Sequence, residues 1–288
     1  MLDVRRLRLL RELAHRGTIA AVAEALAYTP SAVSQQLSVL EREAGVPLLV
    51  RTGRAVTLTP AAIRLVEHTE VVLATLQEAA TELATAVDAV SGTLRIGVFP
   101  SAVATVLTPA VVALSAEHPG LDLLVRELDP SAVPDALREE SLDIALVQEY
   151  DHVPVAADPA LHRDPLLAEV VHLAACTATS LAACRQVNWI AGTPGTLCHD
   201  LTERACAAAG FIPRIRHHVD DFGAVLALVS AGQGVAFVPD LAVGTVPDGV
   251  VLTPLPIRRR TYLAYRRGTG AHPAIAAARS ALHAAVIG

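Results

Sequence analysis

Apolar residues recur at helical spacing through the first part of the chain. From about residue 93 they become short apolar runs alternating with helical stretches. Val4, Leu7, Leu10 and Leu13 mark the inner face of a helix over residues 4–15, and Gly17-Thr18 breaks it. Ile19, Val22, Ala23 and Leu26 share the face of a second, short helix, and Ala27-Tyr28 makes a tight turn. Thr29 caps a third helix, with Pro30 at the first position, where its missing N–H costs nothing. There Val33, Leu37 and Leu40 point inward, which leaves Ser31, Ser34, Gln35, Gln36 and Arg42 facing out. Gly45 ends this helix. Residues 47–50 and 55–58 then read as two short strands around Arg51-Thr52-Gly53-Arg54.

From Pro60 to about Val90 a single long helix is expected. Ala62, Val66, Thr69, Leu73, Leu76, Ala80, Leu83, Val87 and Val90 follow each other at alternating steps of four and three, the seam of a coiled coil. Ser91-Gly92 ends it. Strands are then expected at 93–98, 121–127, 142–147, 168–174, 187–191, 214–219, 234–238 and 261–266. Helices are expected at about 102–117, 132–140, 197–209, 223–232 and 273–286. Strands alternating with helices argue a parallel α/β sheet. Crossings near 150–166 and 260 would give two lobes and a cleft.

Composition narrows the reading. All 23 basic residues are arginine. Residues 1–64 hold nine arginines and five acidic residues, a charge of +4 on a chain of −6, so residues 65–288 carry −10. A basic head on an acidic body suits nucleic-acid contact confined to the head. The outward Ser and Gln residues fit: Gln bonds adenine in a bidentate way, and Ser reaches bases or phosphates. Two arginines at a hairpin tip, Arg51 and Arg54, would sit over phosphates. No charge-free apolar run of 18 residues occurs, so no membrane span is expected. The arginine-studded N-terminus does not read as a secretory signal. Both point to the cytoplasm.

The pieces GTIAAVAEAL, TPSAVSQQLSVLEREAGVPLL and VRTGRAVTLTPAA resemble the winged helix-turn-helix of the LysR-type transcriptional regulators. Leu40-Glu41, Gly45, Pro47-Leu48, Arg51 and Leu58-Thr59 stand in the order usual there. The departures are Leu49-Val50, where an aromatic residue usually precedes the wing arginine, and Thr18-Ile19-Ala20-Ala21-Val22-Ala23 for the more usual Ser-Phe-x-x-Ala-Ala. Both swap apolar for apolar.

The resemblance implies an α/β chain with a DNA-binding head over 1–64, a dimerisation helix over 60–90 and an effector domain over 93–288. That domain would be two-lobed and similar to periplasmic binding proteins, with lobe I at about 93–163 and 262–288 and lobe II at about 164–261. Its partners would be a roughly palindromic DNA operator, a small-molecule effector and further copies of itself, as homodimer or homotetramer. Thr29, Ser31, Ser34, Gln35, Gln36, Arg42, Arg51 and Arg54 are the expected DNA contacts.

Ligands of open α/β sheets bind where strands end and helices begin. The turns Phe99-Pro100-Ser101-Ala102, Asp129-Pro130-Ser131 and Gly192-Thr193-Pro194-Gly195-Thr196 offer hydroxyls and free backbone N–H groups, suited to carboxylates or other anions. Ser101, Ala102, Ser131, Gly195, Thr196 and Phe222 are therefore the candidate effector contacts. The bland alternative is that Ser101, Ser131 and Thr196 only cap their helices.

No nucleophile elbow, phosphate-binding loop or zinc-protease motif is present. No catalytic residue, cofactor or metal is expected, and the histidines at 199, 217 and 218 match no zinc spacing. Peroxide-sensing members of the resembled family use two cysteines in a region comparable to Cys198 and Cys206, so a thiol-based redox regulator is one alternative. A sensor or enzyme whose helical N-terminus mediates only protein contacts is the other.

Overall fold

The computed structural model describes residues 1–52, 55–85 and 90–287. They form two compact units: residues 1–86 with 267–271, and residues 87–266 with 272–288. Arg54 and Val87 lie outside the described residues, as does the side chain of Arg51.

The first unit is a three-helix head with a wing. α1 (Val4–Arg16), α2 (Ile19–Ala25) and α3 (Pro30–Ala44) bury most of the apolar positions that their periodicity picks out: Leu7, Leu10, Leu13, Val22, Ala23, Val33, Leu37 and Leu40. Val4, at the first turn of α1, is exposed instead, and Ile19 and Leu26 are half-buried. Asp3, Thr18 and Thr29 cap the three N-termini with their side chains. Gly17 and Gly45 close α1 and α3 at φ +74° and +70°, a conformation costly for any residue with a Cβ. β1 (Leu49–Thr52) and β2 (Ala55–Leu58) pair antiparallel as the wing.

The Leu-Glu and Leu-Thr pairs serve this architecture. Glu41 accepts from the N–H groups of Leu48 (2.9 Å) and Leu49 (3.0 Å), tying the end of α3 to the wing. Thr59 donates to the Pro47 carbonyl and caps α4 (Pro60–Thr85) by accepting from Ala62. Glu41→Ala leaves two N–H groups without their carboxylate, so a loss of about 1–3 kcal/mol is expected. A thermal melt followed by circular dichroism measures it, and Glu41→Gln, which keeps an acceptor, should recover part.

Buried charge joins α1 to α4. Glu12 binds Arg11 (2.5 Å) and Arg16 (2.9 Å), and Arg11 also faces the buried Glu70. Burial pushes the Glu12 carboxyl up, but the two arginines outweigh it and hold it below its ordinary value.

The expected coiled-coil seam is revised. The described helix ends at Thr85, and Val90 is not helical; it packs against the core of the second unit. Ala62 and Thr69 are buried within the head. The open apolar stripe is instead Val72, Leu76, Ala79 and Leu83, with Leu83 77% exposed.

The second unit is two-lobed, as expected, but its main sheet is mixed rather than parallel. Its strands in chain order are β3 (Gly92–Val98), β4 (Leu121–Glu127), β5 (Ile144–Tyr150), β6 (Leu161–Ala175), β7 (Asn188–Ala191), β8 (Arg214–His218), β9 (Ala236–Pro239) and β10 (Val251–Arg266). Six pair in the order β4-β3-β5-β10-β6-β9. β3 is parallel to β4 and β5, while β10 and β6 run antiparallel to each other and to their outer neighbours. β6 and β10, of 15 and 16 residues, are continuous through both lobes; the expected strands at 168–174 and 261–266 are parts of them. Two antiparallel crossing strands oblige a mixed sheet, and the lobes share it. β7 and β8 form a separate parallel pair in lobe II.

Helices cover the lobes. In lobe I these are α5 (Pro100–Ala102) continuing through a π turn into α6 (Thr108–Glu117), then α7 (Val133–Arg138). In lobe II they are α8 (Leu197–Ala208) and α9 (Phe222–Ser230); α10 (Pro273–Ile287) returns to lobe I. Residues 100–117 are long and apolar enough to cross a membrane by length and composition. Their inward side, Ala102, Val106, Leu107, Ala110 and Leu114, is buried in the lobe I core.

Candidate functional site

Two surfaces carry candidate chemistry, one in each unit. On the head, Ser31, Gln35 and Arg42 are exposed along α3 and Ser38 is half-buried beside them. Steps of four, three and four place all four on one stripe opposite Val33, Leu37 and Leu40. Ser38 escapes a reading that takes the outward residues one by one; the 31-35-38-42 spacing is the signal that finds it. Thr29 is spent as the cap, accepting from Ala32 at 3.2 Å, and its hydroxyl meets that of Ser31 at 3.0 Å. Ser34 is half-buried. Gln36 departs from expectation: its amide oxygen accepts from Arg6 Nε of α1 at 2.9 Å, off the stripe.

In the second unit, a buried polar cluster is built on Arg259, an interior residue of β10 with no exposed surface. Its Nε donates to Glu169 of β6 at 2.7 Å. Its Nη1 donates to Gln148 of β5 (2.8 Å) and to the Ser101 hydroxyl at the start of α5 (2.9 Å). Phe99 lies against the guanidinium, with 5.1 Å between Cζ and the ring centroid. Nη2 is buried and is bonded to none of Glu169, Gln148 and Ser101, and the Tyr150 hydroxyl lies close to the guanidinium. A buried donor left over is costly unless something else takes it up.

Tyr150 and Cys198 stand beside this group, with the hydroxyl and sulfur 3.5 Å apart. Burial, with the neighbouring thiol, pushes the Tyr150 phenol well above its ordinary value, although Arg259 pulls it down. Burial likewise raises the Cys198 thiol, and Asp220 and Asp129 add to this; the Tyr150 bond and Arg259 oppose it. Burial works against the Arg259 charge, but Tyr150 and Glu169 more than restore it. The site therefore presents a buried guanidinium paired with the Glu169 carboxylate, beside hydroxyl and thiol groups that burial keeps protonated.

The sequence-expected contacts divide. Ser101 is at Arg259. Ala102 is fully buried in the lobe I core, so its side chain cannot meet a ligand there. Ser131 is exposed on a single 3₁₀ turn capped by Asp129. Thr196 is committed to its helix: its hydroxyl donates to the Thr193 carbonyl (2.8 Å) and accepts from His199 N–H (3.3 Å). Gly195, at φ +94°, is exposed in that turn. Phe222 begins α9 and packs against the lobe II core. Asp220 grips Thr193 twice (2.8 and 2.6 Å), and His199 and His218 both reach the Gly192 carbonyl, so the turn is held in shape from three sides.

Arg259, Gln148, Glu169 and Tyr150 are absent from the sequence reading. The available signal was Arg258-Arg259-Arg260 inside an apolar strand: alternation sends the middle residue to the face opposite its neighbours. Those neighbours bind Asp151 at the surface, Arg258 through its backbone N–H and Arg260 through its guanidinium.

The thiol pair is not positioned for a disulfide. Cys198 and Cys206 lie on one helix, about 12 Å apart at 1.5 Å per residue. Cys206 is fully buried, and burial with Cys184 nearby pushes its thiol up to about 12.

Residues 4–63 match the profile of the bacterial regulatory helix-turn-helix proteins of the lysR family, and residues 88–286 match that of the LysR substrate binding domain. The transcriptional dual regulator GltC of Bacillus subtilis is 28% identical over 260 residues, covering 88% of this chain and 86% of that protein. A probable hydrogen peroxide-inducible genes activator of Streptomyces viridosporus is 31% identical over 277 residues, covering 89% and 88%. Among solved structures, full-length CbnR complexed with its target DNA superposes with a TM-score of 0.54 at 20% identity, covering 99% of each chain.

Proposed function

We infer from its membership of the LysR family, to which this chain belongs, that it is a sequence-specific DNA-binding transcriptional regulator controlled by a small-molecule effector. The head binds double-stranded DNA through α3 and the wing. Ser31, Gln35 and Ser38 face the bases, and Arg42 faces a phosphate. Arg51 and Arg54 are proposed for phosphates from the sequence. The open stripe Val72-Leu76-Ala79-Leu83 of α4 suits pairing with a second copy, and a homodimer would present two α3 helices to a roughly palindromic site. Such a regulator acts in the cytoplasm, where its DNA is.

The effector site proposed is the polar cluster around Arg259, and the observation that supports it is the fully buried Nη2 of that residue, left over by Glu169, Gln148 and Ser101. A carboxylate or other small anion would accept from Nη2, with Ser101, Tyr150 and Cys198 around it. Ser131 and Gly195 remain candidates at the rim. Because β6 and β10 run through both lobes and carry Glu169 and Arg259, an anion there acts on the shared strands. The coupling to DNA affinity expected of such a switch is about 1–3 kcal/mol.

A salt titration of the full chain, on its own upstream DNA against scrambled DNA, tests the regulator reading by fluorescence anisotropy. Tighter binding to the former, with affinity falling steeply in salt, is expected. No retention of either duplex at low salt would sink it. On the bound sequence, Gln35→Ala should lose about 1–3 kcal/mol of discrimination. Arg42→Ala should weaken all sequences alike and reduce the salt slope by about one.

A further inference from the structure

The structure assigns Arg6 of α1 the task of fixing how α3 lies in the head, and it makes Gln36 part of that clamp instead of a base reader. This rests on the DNA-binding reading and goes beyond it. The Arg6 guanidinium donates from Nε to the Gln36 amide oxygen at 2.9 Å and from Nη1 to the Glu43 carboxylate. Gln36 and Glu43 are seven residues apart, so one planar group holds two turns of the same helix. The anchor is itself fixed: Asp3 accepts from the backbone N–H groups of Arg5 (2.8 Å) and Arg6 (3.3 Å), and Leu7 and Leu9 are buried next to them.

Gln36 points about 100° around the helix from Gln35. It borders a hollow of about 620 Å³ between α1 and α3, lined also by Arg5, Arg8, Leu9 and Tyr28. Its amide oxygen is oriented toward α1. Bidentate recognition of adenine would need that oxygen and the amide nitrogen turned together to a base edge. Arg6 is also paired in charge with Glu43, which weakens its pull on a phosphate. Lysine would not replace it: an ammonium lacks the planar fork that engages both partners at once. The consequence is that Arg6, which need not touch DNA, decides how well the stripe 31-35-38-42 meets the base edges.

The test uses the full chain and a randomised DNA duplex pool. The sequence enriched by wild type is compared with its scrambled counterpart for wild type, Arg6→Ala, Gln36→Ala, Arg6→Lys and the double variant Arg6→Ala/Gln36→Ala. Each alanine variant is expected to lose about tenfold in discrimination, spread along the half-site, with the salt slope unchanged. The double variant should be no worse than either single, and Arg6→Lys should fall between. A thermal melt of each variant separates lost specificity from lost fold. The proposal is overturned if Gln36→Ala relaxes one base pair while Arg6→Ala keeps the whole preference. It is also overturned if Arg6→Ala lowers the salt slope by about one with preference intact, or if discrimination is unchanged in every variant. Failure of the wild type to retain any duplex would instead overturn the DNA-binding reading, and this proposal with it.

Discussion

Arg259→Met is expected to abolish the response to carboxylates and to destabilise the second unit by about 3–5 kcal/mol. The two losses have separate causes. Stability falls because Glu169, only 6% exposed, loses the guanidinium at 2.7 Å and is left with the Leu241 N–H at 2.6 Å. Gln148 and Ser101 lose a donor as well. The response falls because Nη2 is the donor that a bound anion would take up.

A second substitution separates them. Arg259→Met/Glu169→Leu removes both charges, and replacing a buried ion pair by apolar side chains is often close to neutral. The double variant should therefore regain most of the stability and none of the response. Thermal melts with and without a panel of small carboxylates read both effects. A carboxylate at about a hundred times its Kd adds about 2.7 kcal/mol to the wild type and should add nothing to either variant. A double variant still stabilised by the same carboxylate would remove Arg259 from the site.

The second large effect is expected at Gly234, just before β9. A Cβ there would lie 2.6 Å from the Asn188 carbonyl oxygen, a backbone atom that cannot swing aside. That oxygen accepts from Val235 N–H at 3.0 Å, while Ile190 N–H donates to the Val235 carbonyl at 2.9 Å. These two bonds attach β7 to β9. Gly234→Ala forces them apart, at a cost of about 1–3 kcal/mol by overpacking.

The measurement is built in. The single tryptophan, Trp189 of β7, is fully buried with its ring 4.9 Å from that of Phe237 on β9 by centroids, and its indole donates to the Cys184 carbonyl. Its fluorescence should report lobe II opening at lower denaturant in the variant. Gly232→Ala is the control: φ is +71° but no atom lies within 4 Å, so only backbone strain of about 1 kcal/mol is expected. Equal shifts in the two variants would mean that the close approach to Asn188 is not what requires glycine.

The sequence by itself determined the elements and the head. Helices α1 to α3 and most of their buried apolar residues are written in spacings of three and four, and their ends in Thr18, Thr29, Gly17 and Gly45, all within a few residues of the groups they satisfy. Local period and capping need no distant partner, so a linear reading recovers them. The same holds for most strand and helix positions beyond residue 93, and for Ser31, Gln35 and Arg42 on the outer face of α3.

Tertiary structure decided the rest, because the deciding contacts join residues far apart in the chain. The sheet is mixed because β6 and β10 cross both lobes and pair with each other, and alternation of strands and helices carries no direction for such a pairing. The sequence offers the Thr196 hydroxyl as a ligand contact, and the fold engages that hydroxyl at both ends of its own turn. Gln36 looked outward until Arg6, thirty residues earlier, took its amide oxygen. Alternation sets Arg259 apart from the arginines on either side but does not say which face is buried, since its burial depends on Glu169 ninety residues away and on Gln148 and Ser101 still farther. A charge is buried only where distant groups converge to pair it, and that convergence is a property of the folded chain alone.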